Sequence, residues 1–163
     1  MAKNPKIDKT NAMRFLDRES ISYEVLTYEH KEHVAVDGET VAGMLGLDPA
    51  AVFKTLVTKS NTGEPLVFVI PVAEELDLKE AAASAGVKSV SMIHVKELPG
   101  LTGYERGGCS PLGMKKAFRT FIDFTAEEQP LIMVSGGRIG LQVRLSPDDL
   151  LKATCGSYAI LTR

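Results

Sequence analysis

The chain has 163 residues, of which 19 are basic and 21 acidic, for a formal net charge of −2, with 44% hydrophobic and 25% charged residues. This composition is ordinary for a folded domain, and the length suits a single domain over 1–163 that needs no disulfide or metal staple. The near-neutral balance excludes a global field for nucleic acid: RNA has to be met by a local patch or through a partner, and DNA is not an expected ligand.

Residues 1–7 are polar, contain Pro5 and read as a loose lead-in. From Asp8 to Glu19 the apolar residues Ala12, Met13, Phe15 and Leu16 recur at helical spacing, with Asp8 or Thr10 available as N-cap. Ser20 to Tyr28 reads as a strand. Gly38 to Leu47 reads as a helix, and Asp48-Pro49 marks a turn or a short helical piece. Val52 to Lys59 and Leu66 to Val72 are apolar runs joined by a Ser-Asn-Thr-Gly-Glu-Pro loop, a hairpin signal. Asp77 to Ala85 predicts a helix stopped by Gly86. Lys88 to Met92 predicts a short strand, and residues 93–103 allow only a brief helix. Strands follow at Arg119 to Phe124 and Leu131 to Val134. Gly140 to Leu145 alternates Leu141, Val143 and Leu145 with Gln142 and Arg144, as in a half-buried strand. Ser146-Pro147-Asp148-Asp149 opens a last helix, and Tyr158 to Leu161 predicts a closing strand.

Strands outnumber helices without one-for-one alternation, so the expected class is α+β: a mixed, mostly antiparallel sheet curled towards a barrel, with helices outside it. The absence of any stretch of about 18 apolar residues and of a basic-then-apolar leader leads to the expectation of a cytoplasmic protein with no membrane partner.

Three features stand out chemically. Lys54 interrupts Val52-Phe53-Lys54-Thr55-Leu56-Val57, a run otherwise suited to a buried strand. An unpaired buried ammonium is costly, so it reads either as a site residue or as a lysine snorkelling from an edge strand. Gly107-Gly108-Cys109-Ser110-Pro111-Leu112-Gly113 is a loop able to turn backbone N–H groups toward an anion or a carbonyl, or simply a turn. Val134-Ser135-Gly136-Gly137-Arg138 reads as an oxyanion-type turn with a phosphate-binding charge, or equally as a hairpin loop.

Other groups read more plainly. His30 and His33 form an HxxH without further ligands at metal spacing, so no metal site is expected. Cys109 and Cys155 stand in no CxxC pattern and read as reduced thiols. Cys109 reads as a small filler in preference to a nucleophile. Lys115, Lys116 and Arg119 form a modest basic cluster, either a phosphate contact or a solvated face. The residues alone therefore give a pocket with a lysine and two Gly-rich loops, and no conventional nucleophile.

Taken in order, several segments resemble the YbaK family of Cys-tRNA(Pro) deacylases and the related editing domain of bacterial prolyl-tRNA synthetases. They are Thr27-Tyr28-Glu29-His30, Leu45-Gly46-Leu47-Asp48-Pro49 with the Lys54 strand, Leu78-Lys79-Glu80-Ala81-Ala82, the Gly107–Gly113 loop, and Ser135-Gly136-Gly137-Arg138 with Gly140-Leu141. The resemblance implies release of a wrong amino acid from the tRNA 3′ end without metal or organic cofactor. It implies catalytic roles for Lys54, Ser135, Gly136 and Gly137, and substrate contacts at Tyr28, Thr55, Gly108, Ser110 and Arg138. It also implies a substrate thiol that attacks its own ester, with prolyl-tRNA synthetase as a partner. Alternatives are a same-fold deacylase for another charged tRNA, such as Ala-tRNA(Pro), or a non-catalytic module binding tRNA ends or a synthetase.

Overall fold

The computed structural model describes residues 8–163, and the predicted lead-in over residues 1–7 lies outside them. Thr10 caps α1 (Asn11–Arg18), its hydroxyl accepting from the Met13 N–H at 3.2 Å, and Ala12, Met13 and Leu16 are buried as their spacing predicts. The following strand is shorter than expected. Ser20 has a positive φ of 56°, and the Ile21 N–H closes back on the Leu16 carbonyl at 2.9 Å, so these residues finish the helix. β1 therefore begins only at Glu24 and runs to Thr27.

Asp37 caps α2 (Gly38–Met44) through the Thr40 N–H and hydroxyl. A short 3-10 turn at Pro49–Ala51 then feeds β2 (Phe53–Ser60), which pairs antiparallel with β3 (Pro65–Pro71) from Phe53↔Pro71 to Lys59↔Pro65. After α3 (Leu78–Ala85), Gly86 takes the left-handed conformation (φ 68°), a helix stop available to glycine at no steric cost. β4 (Val90–Met92), the brief α4 (Leu98–Thr102), β5 (Arg119–Asp123), β6 (Ile132–Ser135) and β7 (Leu141–Leu145) follow. Ser146 caps α5 (Pro147–Thr154), and β8 (Ser157–Ala159) ends the order.

The class is α+β, and the strands divide between two sheets. One is antiparallel, in the order β1-β7-β6. The other is mixed, in the order β4-β2-β3-β5-β8, with β3, β5 and β8 parallel and β2 antiparallel to both its neighbours. A parallel bridge between Val52 and Met133 joins them. β3 is the central strand: Leu66 through Ile70 have no exposure, and Phe68 stacks on Phe121 with ring centroids 5.4 Å apart. Each such large side chain contributes about 1.5–3 kcal/mol through burial. The seam where β2 enters beside β6 leaves the opening described next.

Candidate functional site

A cleft of about 620 Å³ opens where the start of β2 meets β6 and β7, with the N-terminus of α2 and the Arg106–Cys109 loop as its other walls. Lys54 is half-buried at this seam. β3 pairs with it through Ile70, whereas β4 reaches only Thr58 to Ser60, so this stretch of β2 keeps one edge toward the cleft. Its ammonium donates to the Val72 carbonyl at 3.3 Å. A carbonyl does not neutralise the charge, so Lys54 presents a fixed cation to whatever enters.

Tyr28, Thr55 and Ser135 line the same cleft. Ser135 is buried at the end of β6, and its hydroxyl oxygen accepts from the Gly137 N–H at 3.2 Å, leaving the hydroxyl proton to donate into the opening. The two glycine amides are themselves engaged, because the Gly136 N–H donates to the Leu141 carbonyl at 2.8 Å. The turn thus behaves as a hairpin loop that aims Ser135, and the N–H pair anticipated there for an oxyanion is spent inside the turn.

Gly108, Ser110 and Arg138 do not line the cleft. Gly108 lies against the next hairpin, where an added Cβ would meet the Arg138 Cα at 2.6 Å, so a side chain is excluded for packing reasons. Ser110 is fully buried, and its hydroxyl accepts from the Leu112 N–H. Arg138 is exposed and donates to the Asp8 carbonyl at 3.3 Å. From the same loop, Gly107 and Cys109 do reach the cleft, and their N–H groups meet no acceptor among the described residues.

Cys109 is not set up as a nucleophile. Burial pushes its thiol up to about 12, only partly offset by a hydrogen bond with Thr102. Asp37, also in the cleft wall, is held below its ordinary value by the Thr40 hydroxyl and backbone N–H, and so remains an occupied helix cap. His30 and His33 lie outside the cleft, His33 near Glu105 at 3.4 Å.

One residue escaped the reading of the sequence. Gln142 was expected on the solvent face of a half-buried strand, yet it is 7% exposed and faces the cleft. Both faces of β7 are covered, one by the core and the other by the cleft walls. The Oε1 of Gln142 and the Oγ1 of Thr55 are both buried without a hydrogen-bond partner among the described residues. Both residues line the cleft, so a side-chain rotation that turns these two oxygens into the opening would let a donor-rich ligand pair them.

Residues 32–153 match the family model described as the aminoacyl-tRNA editing domain. EbsC of Enterococcus faecalis (strain ATCC 700802 / V583), provisionally named a Cys-tRNA(Pro)/Cys-tRNA(Cys) deacylase, is 43% identical over 162 residues, covering 99% of this chain and 98% of the relative. A crystal structure provisionally named a trans-editing enzyme for prolyl-tRNA synthetase has a TM-score of 0.79 at 22% identity, covering 94% of this chain and 95% of that one. Another, of a hypothetical protein, has a TM-score of 0.84 at 22% identity, covering 94% and 100%. These two establish likeness of fold only. With the family model spanning most of its length and a relative aligned nearly end to end, the chain belongs to the aminoacyl-tRNA editing domain family.

Proposed function

We propose that the protein deacylates mischarged Cys-tRNA(Pro), working beside prolyl-tRNA synthetase in the cytoplasm. The observation that carries this reading is a cleft with a fixed cation and two unpartnered buried acceptors but no activated nucleophile. The acceptors Thr55 Oγ1 and Gln142 Oε1 suit the α-ammonium of an aminoacyl group, which brings three donors. Lys54 suits the ester carbonyl or the terminal phosphate. The hydroxyl of Ser135, held by the Gly136-Gly137 turn, donates to the oxygen that gains charge as the carbonyl is attacked. Tyr28 closes the wall behind the terminal nucleoside.

The substrate supplies the nucleophile. Its thiol loses a proton to water, the sulfur attacks the ester carbon, and the bond to the ribose oxygen breaks. That oxygen takes up a proton, and the amino acid leaves as a cyclic thiolactone that water then opens. The protein contributes orientation and charge stabilisation, which together account for large rate factors without any group of its own being consumed.

The test uses purified protein with Cys-, Ser- and Ala-charged tRNA(Pro), and a Lys54→Ala variant. Cys is released, Ser is largely spared, and Lys54→Ala lowers kcat/KM by about a hundredfold, the scale of one lost charge contact in the transition state. Equal release of Ser and Cys refutes the thiol mechanism. Release of Ala alone assigns a different target, and release of nothing leaves a binding module.

A further inference from the structure

A second concavity, of about 320 Å³, runs along the exposed face of α1 and the Pro111–Thr120 segment. Its charge is one-sided: among the described residues Arg14, Arg18 and Lys116 line it, and no carboxylate does. This contrasts with a chain whose acidic residues outnumber its basic ones. The Arg14 guanidinium is oriented by two neutral acceptors, the Lys9 carbonyl at 2.6 Å and Asn11 Oδ1 at 2.5 Å, and so keeps its full charge. Arg18 lies over the Phe15 ring, 5.4 Å from its centroid. Phe15 and Phe118, both half-buried, bring aromatic surface into the same groove. Past Phe118 the adjoining surface is mixed in sign, with Glu19 and Asp149 beside Arg119 and Lys152, so the one-sided positive charge is confined to the groove. Cations interleaved with aromatic rings are what a single strand of RNA requires: charge for the phosphates and flat faces for the bases.

The groove is tied to the cleft in two ways. The Gly-rich loop lines the cleft at Gly107 and Cys109 and the groove at Pro111 and Gly113. From position 109 to position 111 the backbone covers about 7 Å at full extension. Independently, the Thr10 hydroxyl at the start of α1 donates to the Gly136 carbonyl at 2.5 Å, one residue from Ser135 in the cleft wall. Both ties place the groove beside the cleft, on the same loop and the same hairpin.

Building on the deacylase reading, we infer that this groove binds the unpaired strand of the tRNA 3′ end immediately upstream of the terminal nucleoside, with Arg14, Arg18 and Lys116 on its phosphates and Phe15 and Phe118 against its bases. A near-neutral chain with a local basic groove suits a grip on a few nucleotides, not on the body of the tRNA.

The experiment compares wild type with the double variant Arg14→Glu/Lys116→Glu on two esters, Cys-tRNA(Pro) and cysteinyl-adenosine, which lacks every upstream phosphate. Binding of a fluorescent RNA hairpin ending in unpaired ACCA is measured alongside, and thermal melting confirms folding. The double variant is expected to lose about tenfold or more in kcat/KM on the tRNA and nothing on cysteinyl-adenosine. Each single-strand phosphate contact contributes about 0.7 to the log–log salt slope, so between 50 and 200 mM salt the wild type should lose about sevenfold more activity than the variant. Unchanged tRNA kinetics, or equal losses on both esters, overturn the groove and leave the deacylase intact. Groove-dependent RNA binding by a protein that hydrolyses neither ester keeps the groove and removes the proposed activity.

Discussion

Gln142 offers a direct test of the cleft because stability and activity should move in opposite directions. Its Oε1 is buried with no partner among the described residues, on a residue 7% exposed. An unsatisfied buried acceptor costs about 1–3 kcal/mol. Replacing Gln142 by Met keeps the length and removes the polar group, so after some loss of packing fit the variant should gain about 1 kcal/mol. For a domain of this size that raises Tm by about 2–4 °C. The same change removes an acceptor from the substrate's ammonium. A hydrogen bond to a charged group contributes about 1.5–3 kcal/mol, so kcat/KM on Cys-tRNA(Pro) should fall about tenfold to a hundredfold. If the contact is made equally in ground and transition states, the loss appears in KM. Differential scanning calorimetry and steady-state deacylation measure the two effects. A Met variant that melts lower and deacylates normally would show that Gln142 is an ordinary packing residue, and the argument from orphaned acceptors would fall with it.

Two further outcomes follow from the Gly-rich loop. Gly108→Ala places a methyl 2.6 Å from the Arg138 Cα, an unyielding backbone atom, so it should destabilise by about 1–3 kcal/mol and lower Tm by several degrees; a variant that melts like wild type would refute the packing role given to Gly108. For Cys109, the folded thiol sits at about 12 against an ordinary value of 9.0, so the unfolded chain releases its proton first and stability is lost as pH rises through that window. Melting curves at pH 8 and 10.5 should show a steeper alkaline fall for wild type than for Cys109→Ala, and parallel falls would mean the thiol ionises as easily folded as unfolded.

Local chemistry made much of the fold legible. Thr10, Ser146 and Gly86 each punctuate a helix by a mechanism contained within a few residues, and a lysine inside an otherwise apolar run marked the strand that carries the site. The misplaced start of β1 had a local cause too, the left-handed Ser20, but a serine in that conformation has no sequence signature as strong as glycine's. What could not be read was which groups share a wall. Polar residues alternating along a strand normally mean solvent, and Gln142 fits that pattern while facing an internal cleft. Likewise two glycines after a strand look like an anion site until Leu141, five residues on, takes up the first amide. The α1 face was visible as amphipathic, yet only the tertiary fold sets Arg14 and Arg18 beside Lys116.

A cleft of about 620 Å³ is roomy for a cysteinyl ester and its nucleoside, and roominess bears on how selection works. Serine differs from cysteine by one atom, and a pocket that sorts such isosteres by fit gains only about 1–3 kcal/mol. A site that supplied its own nucleophile would therefore attack both esters at similar rates once they were bound. On the proposed mechanism the discrimination moves out of the pocket and into the substrate. A thiol with a pKa near 8.5 is ionised to a few per cent at neutral pH, whereas a hydroxyl is effectively never ionised, so the same geometry turns over one ester and holds the other inert. The features of this cleft are consistent with that division of labour. Its thiol is suppressed by burial, its serine is positioned without a base, and its lysine is coordinated to a carbonyl, so each lacks what it would need to attack a seryl ester. The inertness of the protein's own groups is then a requirement for specificity: a Cys109 with a normal thiol pKa would erode the preference for cysteine by opening a route that ignores the substrate's side chain.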